Sequence, residues 1–159
     1  MNGKNSKPYA ILVFGAPMSG KSQFAIKFSR EFKAPLLDFE AIPGISRKSF
    51  LAIVAQIADS KQNMVIDYHI DTFKQRQEMC EVLRTAGYRP VLVWIQTDVN
   101  TIKRRLKNHL KSVARAKAYF EERLEQLEAP EDVEEPIVVS GKHTFDTQLK
   151  SVLSCLSKI

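Results

Sequence analysis

Cysteine is nearly missing from this chain. Cys80 and Cys155 are the only two, far apart and without metal-ligand spacing, so neither a disulfide framework nor a cysteine-rich metal site organises the fold. Each stands in an apolar helical pattern and reads as a small buried hydrophobe, and a reducing, cytoplasmic setting is expected. Long hydrophobic runs are missing as well. No stretch approaches the roughly 20 residues of a membrane span, so no membrane is expected among the partners. Met1 to Lys7 is polar, lacks the apolar segment of a secretory leader and is expected to be a flexible end. The three histidines, His69, His109 and His143, have no mutual metal spacing. There are no internal repeats, low-complexity segments or interdomain linkers. What is left is 159 residues with a 44% hydrophobic fraction, enough for one core. One domain is expected over 8–159, with a lid at about 103–128.

Charge is unevenly placed. The formal net charge is +6, yet Lys103 to Lys117 holds seven basic residues and no acidic one. Glu121 to Glu135 then holds eight acidic residues and one basic. A pI near 9.4 and the basic 103–117 stretch permit contact with nucleic acid; such a run also suits a nucleotide triphosphate or a solvated helix face.

Apolar strand patterns alternate with helical ones. Tyr9–Phe14, Pro35–Asp38, Met64–Asp67, Val91–Ile95 and Ile137–Val139 read as strands. Between them, helical spacing appears in Ser22–Phe32, with Phe24, Ala25, Phe28 and Phe32 inward, and in Arg47–Ala58. It recurs from Asp71 or Thr72 to Ala86, where Gly87 is the stop, and from about Thr101 to Leu110. Arg115–Leu127 and Phe145–Leu156 complete the helices, the last with Leu149, Val152, Leu153 and Leu156 inward. Trp94 reads as core. Such alternation predicts an α/β fold, a parallel sheet of about five strands covered on both faces, with the site at its carboxyl edge.

One stretch carries a specific signal. Gly15-Ala16-Pro17-Met18-Ser19-Gly20-Lys21-Ser22 fits G-x-x-x-x-G-K-[ST] at every fixed position, between an apolar strand and a helical pattern. The two glycines let the backbone curl closely around a polyphosphate. Backbone N–H groups and the positive end of the next helix then face phosphate oxygens. The expected nucleotide site is Gly15 through Gln23, with Lys21 on the β- and γ-phosphates and Ser22 on Mg²⁺.

Other candidates follow from position. Asp67 ends a strand of the form apolar-apolar-apolar-Asp and reads as the second magnesium-holding group, in the manner of a Walker B acid. Asp38 ends the strand after the P-loop helix, where a carboxylate can take the proton of an attacking hydroxyl; Glu40 is the fallback. Arg104, Arg105, Lys107, Lys111 and Arg115 occupy a lid position, and Arg105 with Arg115 is the pair expected over the transferred phosphate. Gly141 to Thr144 reads as a loop near the adenine.

These residues together resemble the small P-loop kinases of the group that includes polynucleotide 5′-kinases, gluconate-type kinases and zeta-toxin-like enzymes. The resemblance runs from Tyr9 to Leu156. It rests on Gly15–Ser22, Leu37-Asp38, Val65-Ile66-Asp67 with Arg76 downstream, Ala86-Gly87-Tyr88, the Arg105 region, and Pro130 with Glu134-Glu135 before Ile137. It implies a three-layer P-loop NTPase fold like that of nucleoside-monophosphate kinases, with a helical lid, and ATP and Mg²⁺ as cofactors. It further implies that Asp38 binds or deprotonates an acceptor hydroxyl, that Arg76 helps hold the acceptor, and that lid arginines clamp the triphosphate. The chain departs from the group in two places. Arg105 is followed by His109 where arginines four apart are common, and Asp67-Tyr68-His69-Ile70 replaces an Asp-x-Thr-Asn-like run. The acceptor implied is a small metabolite, a nucleoside or a nucleic-acid end. A plain ATPase or nucleotide switch, and a nucleic-acid-binding ATPase, are the competing functions.

Overall fold

A computed structural model describes residues 7–39, 41, 42, 44–109 and 114–158; the N-terminal end before Lys7 lies outside them. The strands are β1 (Tyr9–Phe14), β2 (Leu36–Asp38), β3 (Met64–Asp67), β4 (Arg89–Gln96) and β5 (Ile137–Ser140). The helices are α1 (Lys21–Phe32), α2 (Arg47–Ala58), α3 (Phe73–Thr85), α4 (Val99–His109), α5 (Ala114–Gln126) and α6 (Phe145–Leu156). All four strand pairs are parallel, in the order β2-β3-β1-β4-β5.

The central strands are apolar on both faces, and each face has its own core. Ala10, Leu12 and Phe14 of β1 pack with Met64 and Ile66 of β3 under Phe50, Val54, Met79 and Leu83 of α2 and α3. Ile11 and Val13, pointing the other way, join Val65, Val93 and Ile95 under Phe24, Ala25 and Phe28 of α1 and Val152 of α6. Each such side chain contributes about 1.5–3 kcal/mol on burial, so the two layers fix which helices cover which face. Among the described residues no helix is long and apolar enough to cross a membrane.

Helix starts are set locally. Thr72 accepts from the Gln75 N–H while the Gln75 side chain accepts from the Thr72 N–H, a reciprocal capping box that starts α3. Ser46 and Thr144 cap α2 and α6 in the simpler one-sided way.

Some inward positions lie further out than their spacing predicts. Phe32 and Leu153 keep 43% and 40% of their surface exposed, because each sits toward the end of a helix where the neighbouring layer stops. Cys155 is half-buried, and so is Trp94, which stacks on Phe14 at 6.4 Å between ring centroids. β4 is longer than expected, beginning at Arg89-Pro90; Pro90 is tolerated near the strand start, opposite Ala10.

Candidate active site

Everything at the carboxyl edge is arranged around the turn between β1 and α1. Gly15 is required by its neighbour: a Cβ there would stand 2.5 Å from the Ile95 carbonyl oxygen of β4. Met18 (φ 63°) and Gly20 (φ 101°) turn the chain through the left-handed region, and the Ser19 N–H closes the loop on the Ala16 carbonyl at 3.1 Å. Gly20 is the N-cap of α1 and offers no side-chain acceptor, and the first turn holds no acidic residue. The opening N–H groups of α1 are therefore not capped by a side chain of their own helix, the condition for an anion site at a helix start.

A loop whose N–H groups face inward sends carbonyls outward, and these need donors. The Thr97 hydroxyl donates to the Ser19 carbonyl at 3.1 Å. Arg105 of α4 donates from Nη1 to the carbonyls of Met18 (2.9 Å) and Ser19 (3.3 Å), and from Nη2 to that of Gly141 (3.1 Å). Gly141, just after β5, packs so closely that a Cβ would overlap Thr97 Oγ1 and the Ser19 carbonyl. Arg105, expected over the transferred phosphate, borders the cleft beside the loop and here braces the loop's carbonyls. The 141–144 loop meets the P-loop through Gly141. One turn away, Lys142 pairs with Asp98 at 2.5 Å. That ammonium, with the Thr101 N–H, holds the Asp98 carboxyl well below the usual carboxylate range.

On the inner side, three groups converge. Lys21 Nζ lies 3.7 Å from Asp67 Oδ1 and 3.5 Å from the Ser22 hydroxyl. Lys21 and Asp67 are 8% and 5% exposed. Asp38 ends β2 in register with Asp67 at the end of β3, which sets both carboxylates at the same sheet edge. Asp38 Oδ1 also accepts the Ala41 N–H at 3.3 Å, an Asx-type turn that fixes the start of the β2–α2 loop. Beside it Phe39 meets Tyr68 edge-on at 4.6 Å and His69 at 6.3 Å, so rings wall this side of Asp38. Arg47 donates to the Tyr68 hydroxyl at 3.0 Å and pairs with Glu78.

The cleft beside the loop has a volume of about 430 Å³ and is bounded by Met18, Lys21, Ser22, Arg105, Phe120 and Arg123. Pro17, Gly20, Gln23 and Gly141 complete its lining. Arg123, on α5, has no counterpart among the sequence candidates. It is buried and grips Asp71 through Nε and Nη2, with separations of 2.7–3.1 Å, and its Nη1 stands 3.4 Å from His69 Nε2. The signal that would have found it is its solitude, the one basic residue in an acidic run of eight.

Arg76 is likewise placed differently from its expected acceptor role. Its side chain is fully buried, forked onto Glu134 at 2.7 and 3.0 Å, and donates to the carbonyls of Ile70, Asp71 and Glu128. The guanidinium also lies 5.1 Å from the Phe14 ring centroid. A guanidinium whose donors are spent inside the protein has none to offer a substrate, so Arg76 is a strut between loops. Glu40 and Lys111 lie outside the described residues, as does the side chain of Arg115.

No protein-family model matches the chain, and no curated protein matches its sequence. Solved structures do match in shape. A gluconokinase from Sinorhizobium meliloti 1021 superposes with a TM-score of 0.72 at 16% identity, over 97% of this chain and 94% of that one. The Mycobacterium tuberculosis APS kinase CysC, in complex with AMPPNP and APS, gives 0.70 at 19% identity, over 96% and 99%. Chaetomium thermophilum Kti12, in complex with ADP-AlF3, gives 0.70 at 12% identity, over 92% and 98%. With the five-stranded parallel order and the loop geometry described above, this chain has the fold of the small P-loop kinases.

Proposed function

We propose that this protein is an ATP- and Mg²⁺-dependent phosphotransferase that moves the γ-phosphate of ATP to a hydroxyl group of a small metabolite, nucleoside or nucleic-acid end. The observation that carries the reading is the register of Asp38 with Asp67 beside Lys21. One carboxylate is turned toward the phosphate loop while a second stands one strand over, at the mouth of a ring-walled loop. The first serves any nucleotide binder; the second, besides holding the Ala41 N–H, stands where an acceptor hydroxyl would meet the γ-phosphate.

In this reading the loop amides from Gly15 to Gly20 and the α1 start hold the phosphates, with Ser22 and Gln23 continuing the site. Lys21 neutralises charge on the β- and γ-phosphates. The Ser22 hydroxyl and the Asp67 carboxylate, both next to Lys21 Nζ, are hard oxygen donors of the type magnesium takes. Bound there, the ion would supply charge neutralisation on the phosphate oxygens. Asp38 accepts the proton of the acceptor hydroxyl as its oxygen bonds to the γ-phosphorus and ADP departs. Arg115 of α5, one of the lid pair expected from the sequence, is the cation assigned to this task, while Arg105 keeps the loop in shape and Arg123 pairs with Asp71 at the rim of the cleft. α4 and α5 form the lid, and it closes over the cleft. The two neighbours named with AMPPNP and with ADP-AlF3 support an adenine nucleotide as the donor.

The test is ATP consumption by purified protein with Mg²⁺, alone and against nucleosides, sugars, sugar acids, aminoglycosides and 5′-hydroxyl oligonucleotides, with Lys21→Met as the blank. Stimulation by one class identifies the acceptor. Turnover of equal rate with and without every acceptor would sink the phosphotransferase reading and leave an ATPase.

A further inference from the structure

The far side of the sheet has a charge pattern that nucleotide chemistry does not use. We propose that a furrow along the amino ends of the strands binds the backbone of single-stranded nucleic acid. Two depressions of about 570 and 370 Å³ run together there, and a third of about 460 Å³ continues from Arg84 and Arg89 along α3 toward Phe73. Lys7 and Tyr9 line both the first and the second, and Arg84, Arg89 and Pro90 line both the second and the third. The first two depressions contain no carboxylate in their lining. Only at the end of the third do Glu134, already bound by Arg76, and Glu135 appear.

Five cations mark the course: Lys7, Lys33, Lys61, Arg84 and Arg89. All are exposed, and none forms an ion pair among the described residues. α1, α2 and α3 all end at this edge, and their negative ends favour cations such as Lys33 and Arg84. Lys7 and Arg89 stand at strand entries, where no helix end accounts for them.

Two of the lysines are held against their own conformational preference. Lys33 (φ 49°) and Lys61 (φ 53°) occupy left-handed positions where glycine would be unstrained. Both keep a cation there and both line the same depression. Phe32, 43% exposed, offers ring surface beside them, and half-buried Tyr9 has the Arg89 guanidinium 5.9 Å from its ring centroid. Unpaired cations spaced along a concave, ring-flanked path match a phosphate chain with bases to stack. A lipid surface would call for the same charges on a convex face with protruding apolar side chains.

The furrow lies a strand length, about 20 Å, from the P-loop. It is therefore separable from nucleotide turnover.

The test is fluorescence anisotropy of a labelled single strand of about 20 nucleotides, titrated with the whole chain across a salt series starting near 50 mM. The double variant Lys33→Gly/Lys61→Gly removes two cations at positions suited to glycine, so its thermal midpoint stays at or above that of the parent. Its affinity is expected to fall about tenfold. The slope of log affinity on log salt should shrink by about 1.4, near 0.7 for each phosphate no longer neutralised. Lys103→Gln/Lys107→Gln removes the same charge from α4 and should change affinity less than about twofold. Equal losses in the two double variants would overturn the furrow in favour of net charge alone. So would the absence of binding by the parent at low salt. Binding of phosphatidylserine-containing vesicles that depends on Lys33 and Lys61, without binding of the oligonucleotide, would replace it with a membrane surface.

Discussion

Arg105 joins the Met18 carbonyl of the phosphate loop, at 2.9 Å, to the Gly141 carbonyl, at 3.1 Å. It thereby ties the first β–α turn of the fold to the last. Arg105→Ala should leave those carbonyls to water and loosen the loop. Nucleotide affinity is expected to drop about tenfold, the worth of one or two charge-assisted hydrogen bonds. Arg105→Lys should recover little of it, since an ammonium lacks the planar fork that spans two carbonyls. Titration of a fluorescent ATP analogue decides the matter, and unchanged affinity in Arg105→Ala would return the residue to an open lid.

The Asp71–Arg123 pair is buried on both sides, at 8% and 6% exposure. It fastens α5 to the β3–α3 loop together with two backbone links, Glu128 N–H to the Asp71 carbonyl and Phe73 N–H to Glu128 Oε2. Removing one partner leaves a buried charge unmatched, so Asp71→Asn and Arg123→Met should each cost about 3–5 kcal/mol. The double variant should be less destabilised than the two losses added. Urea unfolding of the four proteins measures the coupling; additive losses would mean that the two groups do not act as a pair.

Asp38 and Lys21 should separate cleanly in kinetics. Lys21→Met is expected to abolish turnover. Asp38→Ala should lower kcat with the true acceptor by a factor of about 10²–10⁴, the range for a lost general base, while ATP binding stays within about twofold. Full activity of Asp38→Ala toward the acceptor would remove Asp38 from the chemistry.

Cys80 is packed beside the Glu134–Arg76 strut, and burial pushes its thiol pKa up. A folded-state value above the unfolded one means that the folded chain keeps the proton longer. The stability this brings is full below the ordinary thiol value of about 8.5 and is lost as pH rises through the raised value. Ellman's reagent at pH 8 should therefore titrate half-buried Cys155 in the native protein and reach Cys80 only after denaturation. Fast reaction of both thiols would contradict the packing described for α3.

The sheet and its helices were legible because each strand is a continuous apolar run and each helix carries one apolar face. α2, β3 and α6 begin and end where spacing and caps put them. The P-loop was legible because its glycines answer to backbone geometry. What periodicity does not carry is the partner of a charged side chain. Arg76 and Arg105 look in sequence like ligand-binding cations, yet both spend their donors on protein carbonyls and carboxylates supplied by segments far along the chain. Arg123 was hidden for the converse reason, a lone cation among acids whose partner, Asp71, reads locally as a helix cap. The cations of the amino edge come from four separate stretches of chain, so only the closed sheet gathers them.

Arg76 holds the β3–α3 loop, the exit of α5 and the turn before β5 with a single guanidinium. Three stretches of chain share this one attachment, two of them already joined through Asp71, Arg123 and Glu128. A displacement at Ile70 or Asp71 is therefore expected to reach Glu128, just after α5, and Glu134, ahead of the last strand. For the closure proposed above, the hinge is expected on the α4 side, because the α5 end is tied to the β3–α3 loop.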